Sequence, residues 1–243
     1  MTLVVLLTWQ LEWDSDPYMG FDMILSHIIT CIIAIWVMRK LSTLQIAGFK
    51  KQGFAKGVLL GIPFLILGIL SAIFSNLGVD FNELGSPDMK DVLLFTASMF
   101  MVGAAEEIVF RGLLLNNMVK KWGTSKDGVI KAIAISALIF GAIHLLNVFI
   151  APPITVIVQA VNAACAGVLF ATIYLRCKNI WAVIMIHMLV DWIALFLQQC
   201  FQGTNSIITS EVSILQGVLV VLVGSVTPLF FSMILLRKYK SAE

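Results

Sequence analysis

The sequence predicts an all-α membrane protein, a single polytopic bundle of about seven transmembrane helices. Of its 243 residues, 60% are hydrophobic and only 12% are charged, and the mean hydropathy is +0.99, unlike the composition of a soluble domain. Its apolar runs are long enough to cross a hydrocarbon core of about 30 Å, which needs roughly 20 helical residues. The alternating segments of about ten residues that mark an outer-membrane barrel are absent.

Seven apolar runs have membrane-spanning length, and we expect about six to eight spans. They cover about residues 23–38, 57–77, 92–118, 130–150, 154–175, 180–199 and 213–236. The pair Pro152–Pro153 separates the fourth span from the fifth, because proline cannot continue a helix. Small residues one helical turn apart, in GVLLG (57–61) and at Ala163, Gly167 and Ala171, predict close approach of helices.

Before the first span, residues 2–9 (TLVVLLTW) are apolar but too few to cross a membrane. No basic residue precedes them, and the acidic Glu12, Asp14 and Asp16 follow, so they do not resemble a cleavable signal peptide. We expect this run to lie on the membrane surface or against the bundle.

Basic residues collect on alternate loops, and this pattern predicts the orientation of the bundle. The four groups are Arg39, Lys40, Lys50, Lys51 and Lys56; Lys120, Lys121, Lys126 and Lys131; Arg176 and Lys178; and Arg237, Lys238 and Lys240. By the positive-inside rule all four are cytoplasmic. The acidic loops, with Asp14, Asp16 and Asp22 and with Asp80, Glu83 and Asp88, then lie on the other side, together with Lys90. An odd number of spans, with the N-terminus outside and the C-terminus inside, places all four basic groups in the cytoplasm.

Charge and cysteine content exclude several functional classes. The net charge of +2 reflects cytoplasmic anchoring, and nothing in the sequence indicates nucleic-acid binding, a metal or another cofactor. The cysteines are not spaced as metal ligands, so we expect them to be packing residues. They are Cys31, Cys165, Cys177 and Cys200. No repeat or soluble domain stands out, so we expect residues 1–243 to form one integral membrane domain.

The third span contains three charges in the stretch AAEEIVFRG (104–112). Charges within membrane segments are costly and often functional. Glu107 and Arg111 are four residues apart, with the acid N-terminal, so we expect them to form an internal ion pair. Glu106 points about 100° away from Glu107 and needs partners from another helix.

Two other spans supply candidate partners for Glu106. Phe140 and His144 share a helix face in FGAIH, and His187 and Asp191 share one in HMLVD. Counting about 1.5 Å per residue from the basic ends places Glu106, His144 and His187 in one layer near the middle of the membrane. Polar residues at one depth favour a functional site over separate packing contacts.

A buried carboxylate beside an imidazole suits the attack of water on a carbonyl group. The carboxylate is a general base, the imidazole holds the water, and a second imidazole can donate a hydrogen bond to the oxyanion. No serine in a nucleophile setting and no HExxH zinc motif occurs, so serine and familiar zinc protease mechanisms lack support. The third histidine, His27, lies close to the outer end of the first span, and we expect it to be isolated and interfacial.

These residues resemble the CAAX-protease and bacteriocin-processing family of intramembrane glutamic proteases, also called the Abi family. Its motifs EExxxR, FxxxH and HxxxN or HxxxD are similar to EEIVFR (106–111), FGAIH (140–144) and HMLVD (187–191), in family order. The resemblance covers a catalytic core of about residues 90–200. It implies a metal-independent protease without a cofactor.

The resemblance also implies a role for each residue. Glu106 would activate a water with His144, Phe140 would support the site, and His187 and Asp191 would bind the oxyanion or shape its pocket. The ion pair of Glu107 and Arg111 would stabilise the architecture of the site. The CAAX-cleaving branch has Asn at the last motif position, whereas Asp191 donates only when protonated. Alternatively, Asp191 orients His187.

We interpret the chain as an intramembrane endopeptidase that acts on a peptide or membrane-protein substrate within the bilayer. The family includes prenyl-protein processing, and its compact bacterial members are linked to bacteriocin maturation, self-immunity or signalling. Short loops favour a bacterial plasma-membrane member. The alternatives are a non-catalytic membrane partner that binds a sensor kinase, transporter or bacteriocin peptide, and a proton-coupled carrier, although no clear internal repeat supports the carrier.

Overall fold

The computed structural model of the protein describes residues 20–76, 85–201 and 213–237. Over these ranges it is helical without any strand, and seven helices are long and apolar enough to cross a membrane. The predicted fold class is confirmed, and these helices point to an integral membrane protein. Expectations that fall outside the described residues concern residues 2–9, Glu12, Asp14, Asp16, Asp80, Glu83, Lys238 and Lys240.

The structure describes the following helices. In chain order they are α1 (Phe21–Lys40), α2 (Phe54–Ser75), α3 (Met89–Glu107), a π-helical segment (Ile108–Leu115), α4 (Asn116–Trp122), α5 (Lys126–Ile143), a 3-10 segment (His144–Phe149), α6 (Pro153–Cys177), α7 (Ile180–Cys200) and α8 (Ile214–Arg237). The side chains of Asp88, Ser125 and Asn179 cap α3, α5 and α7 by accepting a backbone N–H hydrogen bond. As predicted, the proline pair ends the preceding segment, and α6 begins at Pro153.

The third span differs from its prediction in length and in helix type. α3, the π-helical segment and α4 form one continuous rod of 34 residues, Met89–Trp122, where the sequence predicted 92–118. The fourth span changes at His144 from α-helix to a 3-10 segment. Both changes occur beside the motif residues, where irregular helical turns are frequently functional.

Two helices form the centre of the bundle. α6 packs against α5 and α8, and α7 packs against α2 and α3. A Cβ atom built on Gly61 of α2 would lie 2.5 Å from Ile186 Cδ1 of α7, and one on Gly167 of α6 would lie 3.1 Å from Phe140 Cδ1. The predicted close approach at these small residues is confirmed. Large apolar side chains of α2 and α8 remain exposed, as expected for surfaces that face lipid.

Hydrogen bonds tie the connecting segments together at one end of the bundle. Asn179 Nδ2 donates to the carbonyls of Lys50 and Gln52, so the α1–α2 connection docks on the α6–α7 turn. Lys120 Nζ donates to the Leu41 carbonyl at 3.3 Å. Three of the four basic groups therefore lie at the same end, in agreement with their predicted placement on one side.

Candidate active site

The buried ion pair of Glu107 and Arg111 forms the base of the site. Arg111 Nη1 donates to Glu107 Oε1 at 2.8 Å, and the two side chains are 2% and 0% exposed. Arg111 Nη2 also donates to the Gly167 carbonyl at 3.2 Å. The guanidinium group lies over the rings of Phe140 and Phe170, 4.7 Å and 5.4 Å from their centroids. α3, α5 and α6 thus meet around one cation.

His187 of α7 links this ion pair to the other carboxylates. Its Nδ1 lies 2.7 Å from Glu107 Oε1, a hydrogen bond in which the imidazole donates. Its Nε2 lies 3.3 Å from Asp191 Oδ2 and 3.6 Å from Glu106 Oε2. Because both ring nitrogens face carboxylate oxygens, an imidazole protonated on both nitrogens matches its surroundings. The ring also stacks on Phe170, with centroids 4.9 Å apart.

Glu106 lies near a point of close approach between α3 and α7. A Cβ atom on Gly103, one turn earlier, would lie 3.1 Å from the Ile184 carbonyl oxygen and 3.2 Å from Met188 N. The absence of a side chain there lets Glu106 reach His187. Among the residues that the structure describes, none donates a hydrogen bond to the Glu106 carboxylate, although the residue is only 9% exposed. Its oxygens therefore remain able to accept hydrogen bonds.

His144 has a fixed tautomer. Its Nδ1 lies 2.7 Å from the Phe140 carbonyl oxygen, which can only accept, so Nδ1 carries the proton when the ring is neutral. Nε2 then presents a lone pair. The ring packs edge-on against Phe140, with centroids 5.0 Å apart, and Phe140 is 2% exposed. His144 and Glu106 lie within electrostatic range of each other.

The structure assigns His27 a different environment from the one expected. The prediction that it is isolated was wrong. The residue is 1% exposed, its Nδ1 donates to the Met23 carbonyl at 2.7 Å, and its ring lies within electrostatic range of Glu106. Met23, Ser26 and His27 are buried on α1, which packs against α3, and hydropathy alone does not reveal which face of a span is covered.

Sequence spacing missed a second contact, the hydrogen bond between Glu107 and His187. A spacing of four residues identifies Arg111 as a partner on the same helix, whereas His187 is 80 residues away in sequence. Among the described residues, no group of three or more His, Cys, Asp or Glu side chains could hold a metal ion. The four cysteines are free thiols.

Comparison with known protein families identifies the segment that carries the site. Residues 88–193 match the model of the Rce1-like family, described as type II CAAX prenyl endopeptidase Rce1-like. This stretch, the Rce1-like segment, is similar to that family. The resemblance predicted from the three motifs is thereby confirmed. The chain matched no curated protein and no solved structure.

The Rce1-like segment extends from the start of α3 to the middle of α7 and contains all three motifs. α1, α2 and α8 lie outside it, so His27 is contributed by a helix beyond the matched residues. The family description names an endopeptidase, and the seven apolar helices point to an integral membrane protein.

Proposed function

We propose that the protein is an intramembrane endopeptidase in which Glu106 and His144 activate a water for attack on a peptide carbonyl group. One observation carries the proposal. Within the Rce1-like segment, Glu106 of α3 lies 3.6 Å from His187 of α7, and His144 after α5 lies within electrostatic range of Glu106. A carboxylate and two imidazoles from three separate helices are costly to bury for packing alone.

Glu106 is the proposed general base. Its carboxylate accepts a proton from the water and then delivers it to the nitrogen of the leaving amine. The available geometry supports this role, because no described residue donates a hydrogen bond to the Glu106 oxygens. A water can therefore donate to them at the distance that general-base catalysis requires.

His144 is the proposed partner that positions the water. Because the Phe140 carbonyl holds Nδ1–H at 2.7 Å, the lone pair of Nε2 keeps one direction. A water that donates one hydrogen to Glu106 and the other to Nε2 has an oxygen lone pair left for the carbonyl carbon. Phe140 supports the site through both its carbonyl and its ring.

His187 is the proposed donor to the oxyanion, and its neighbours fix its orientation. Glu107 holds Nδ1, while Arg111 in turn holds Glu107, so the ion pair supports the architecture of the site. Asp191 lies 3.3 Å from Nε2, which supports orientation of His187 as the role of this position. A substrate carbonyl that approaches Nε2 would receive its hydrogen bond as negative charge develops.

The proposed setting is the bacterial plasma membrane, with peptides or membrane proteins as substrates and no metal or other cofactor in the reaction. The family description makes a farnesylated peptide that ends in a CAAX sequence the first probe. A matched peptide without the lipid tests whether prenylation matters. Bacteriocin-type processing is supported if the unprenylated peptides are cleaved. A regulatory membrane partner would be found by crosslinking in cells.

The deciding experiment compares peptides from cells that contain the wild-type chain or Glu106→Gln, followed by assays with purified protein. Glu106→Gln and His144→Ala should each lower the cleavage rate by about 100- to 10,000-fold in protein that remains folded. Asp127→Asn, an exposed carboxylate on α5, is the matched control and should keep full activity. Wild-type cleavage by purified Glu106→Gln would remove the assignment. A cellular phenotype that persists in Glu106→Gln would instead favour a non-catalytic binding partner.

A further inference from the structure

The turn after His144 contains a buried polar side chain to which the mechanism above gives no role. Asn147 belongs to the 3-10 segment and is 3% exposed. Its Nδ2 donates to Gln159 Oε1 of α6 at 2.8 Å. Its Oδ1 is also buried but has no hydrogen-bond partner within the described part of the chain. Buried acceptors are almost always paired, so an unpaired one indicates a missing partner.

The geometry of the 3-10 segment relates this acceptor to the site. Side chains three residues apart in such a helix are eclipsed, so Asn147 lies on the same face as His144. At about 2.0 Å per residue, the two positions are separated by about 6 Å along the axis. Gln159 holds Nδ2 and thereby leaves Oδ1 as the free atom of the carboxamide.

An extended peptide has a matching repeat. Its residues advance about 3.3 Å each, and N–H groups two residues apart point to the same side. They are therefore separated by about 6.6 Å, close to the spacing of the two positions on the 3-10 segment. A helical substrate offers no such groups, because its backbone N–H groups are already bonded to its own carbonyls.

We propose that Asn147 binds the substrate backbone, with Oδ1 accepting a hydrogen bond from an N–H group two residues from the scissile bond. The inference rests on the proposed peptidase activity and defines its substrate class more closely. The cleaved segment is bound as an extended chain, and a transmembrane substrate must unwind at the cleavage point. Gln159 positions the Asn147 carboxamide for this contact.

The test is a scan with peptide esters. The probe is the farnesylated CAAX peptide or, if the wild-type chain does not cleave it, a peptide identified in the cell comparison. One amide at a time, other than the scissile bond, is replaced by an ester, which removes the N–H group. With the wild-type chain, the ester two residues from the scissile bond should raise KM about tenfold and leave kcat nearly unchanged.

The variant Asn147→Leu completes the comparison. It should raise KM for the all-amide peptide by a similar factor of about ten, and the ester should add nothing further in this variant. Asn117→Leu removes a partly buried carboxamide that bonds to the Leu113 carbonyl and serves as the control. In this control the ester should still raise KM about tenfold.

The proposal is overturned if no ester raises KM with the wild-type chain, a result that needs no variant to fold. Additive effects of the ester and Asn147→Leu would overturn it as well. Either result leaves cleavage intact and spares the proposed function. If the wild-type chain cleaves neither probe, the peptidase function fails and the role of Asn147 fails with it.

Discussion

Removing either member of the Glu107–Arg111 pair should destabilise the protein, and the two losses should differ. Arg111→Met leaves Glu107 with the hydrogen bond from His187 Nδ1 at 2.7 Å. Glu107→Leu leaves a buried guanidinium with one carbonyl, that of Gly167 at 3.2 Å, and also deprives His187 of its Nδ1 acceptor. Both replacements roughly preserve side-chain volume, so the loss of packing is small.

The expected magnitude follows from the burial of the pair. Removing one partner of a buried ion pair costs about 3–5 kcal/mol, and Glu107→Leu should reach this range. Arg111→Met should cost less, because Glu107 keeps a donor. At about 2–4 °C per kcal/mol for a chain of this size, Glu107→Leu should lower the melting temperature by roughly 6–20 °C. The double replacement should cost less than the sum of the singles, since no guanidinium is left without its carboxylate.

Thermal melting of purified protein in detergent measures all three variants beside Glu106→Gln. That control should melt close to the wild type, because no described hydrogen bond is lost with the Glu106 charge. Strictly additive losses in the double variant would refute the ion-pair reasoning. A collapse of Glu106→Gln to the level of Glu107→Leu would show that the roles of the two glutamates were divided wrongly.

Three further predictions concern topology, metal dependence and packing. In a variant whose native cysteines have been replaced, cysteines introduced near Lys50 and Lys126 should be shielded from an impermeant thiol reagent in intact cells. A cysteine near Asp88 should be labelled. The reverse pattern would show that the bundle has the opposite orientation. Chelators should leave the cleavage rate unchanged, whereas loss of activity with rescue by zinc would indicate a metalloprotease. Gly141→Ala would bring a Cβ within 2.6 Å of a backbone carbonyl of α6 and should lower stability by about 1–3 kcal/mol in melting experiments, while Gly68→Ala, with no atom within 4 Å, should not.

The number of spans could be predicted from the sequence because membrane thickness fixes the length of an apolar helix. The ends of the third span could not. Lys90, Lys120 and Lys121 lie beyond the apolar run, and a hydropathy argument counts them as loop, yet the helix continues through them. Charged side chains at helix ends reach water, so they do not stop the backbone from remaining helical.

Spacing along one helix also indicated which motif residues share a face, as for Glu107 with Arg111. It could not give contacts between helices, since these depend on how each helix is rotated and offset against its neighbour. The Glu107–His187 hydrogen bond and the burial of His27 are of this kind. The unpaired oxygen of Asn147 is a third case, because its sequence neighbours do not reveal where the amide finds a partner.

The π-helical segment sets the rotational phase between the two ends of the 34-residue rod. Each hydrogen-bonded ring in Ile108–Leu115 closes over one more residue than in the flanking α-helices. If the same residues closed into α-helical rings instead, the surplus residue would turn α3 by about 100° relative to α4. Asn116 anchors α4 to Tyr174 at 2.7 Å, so the turn would fall on Glu106, which would then face away from His187. The direction of the Glu106 side chain thus depends on the Asn116 contact, more than two helical turns away. The extra residue of the π-helical segment maintains that alignment.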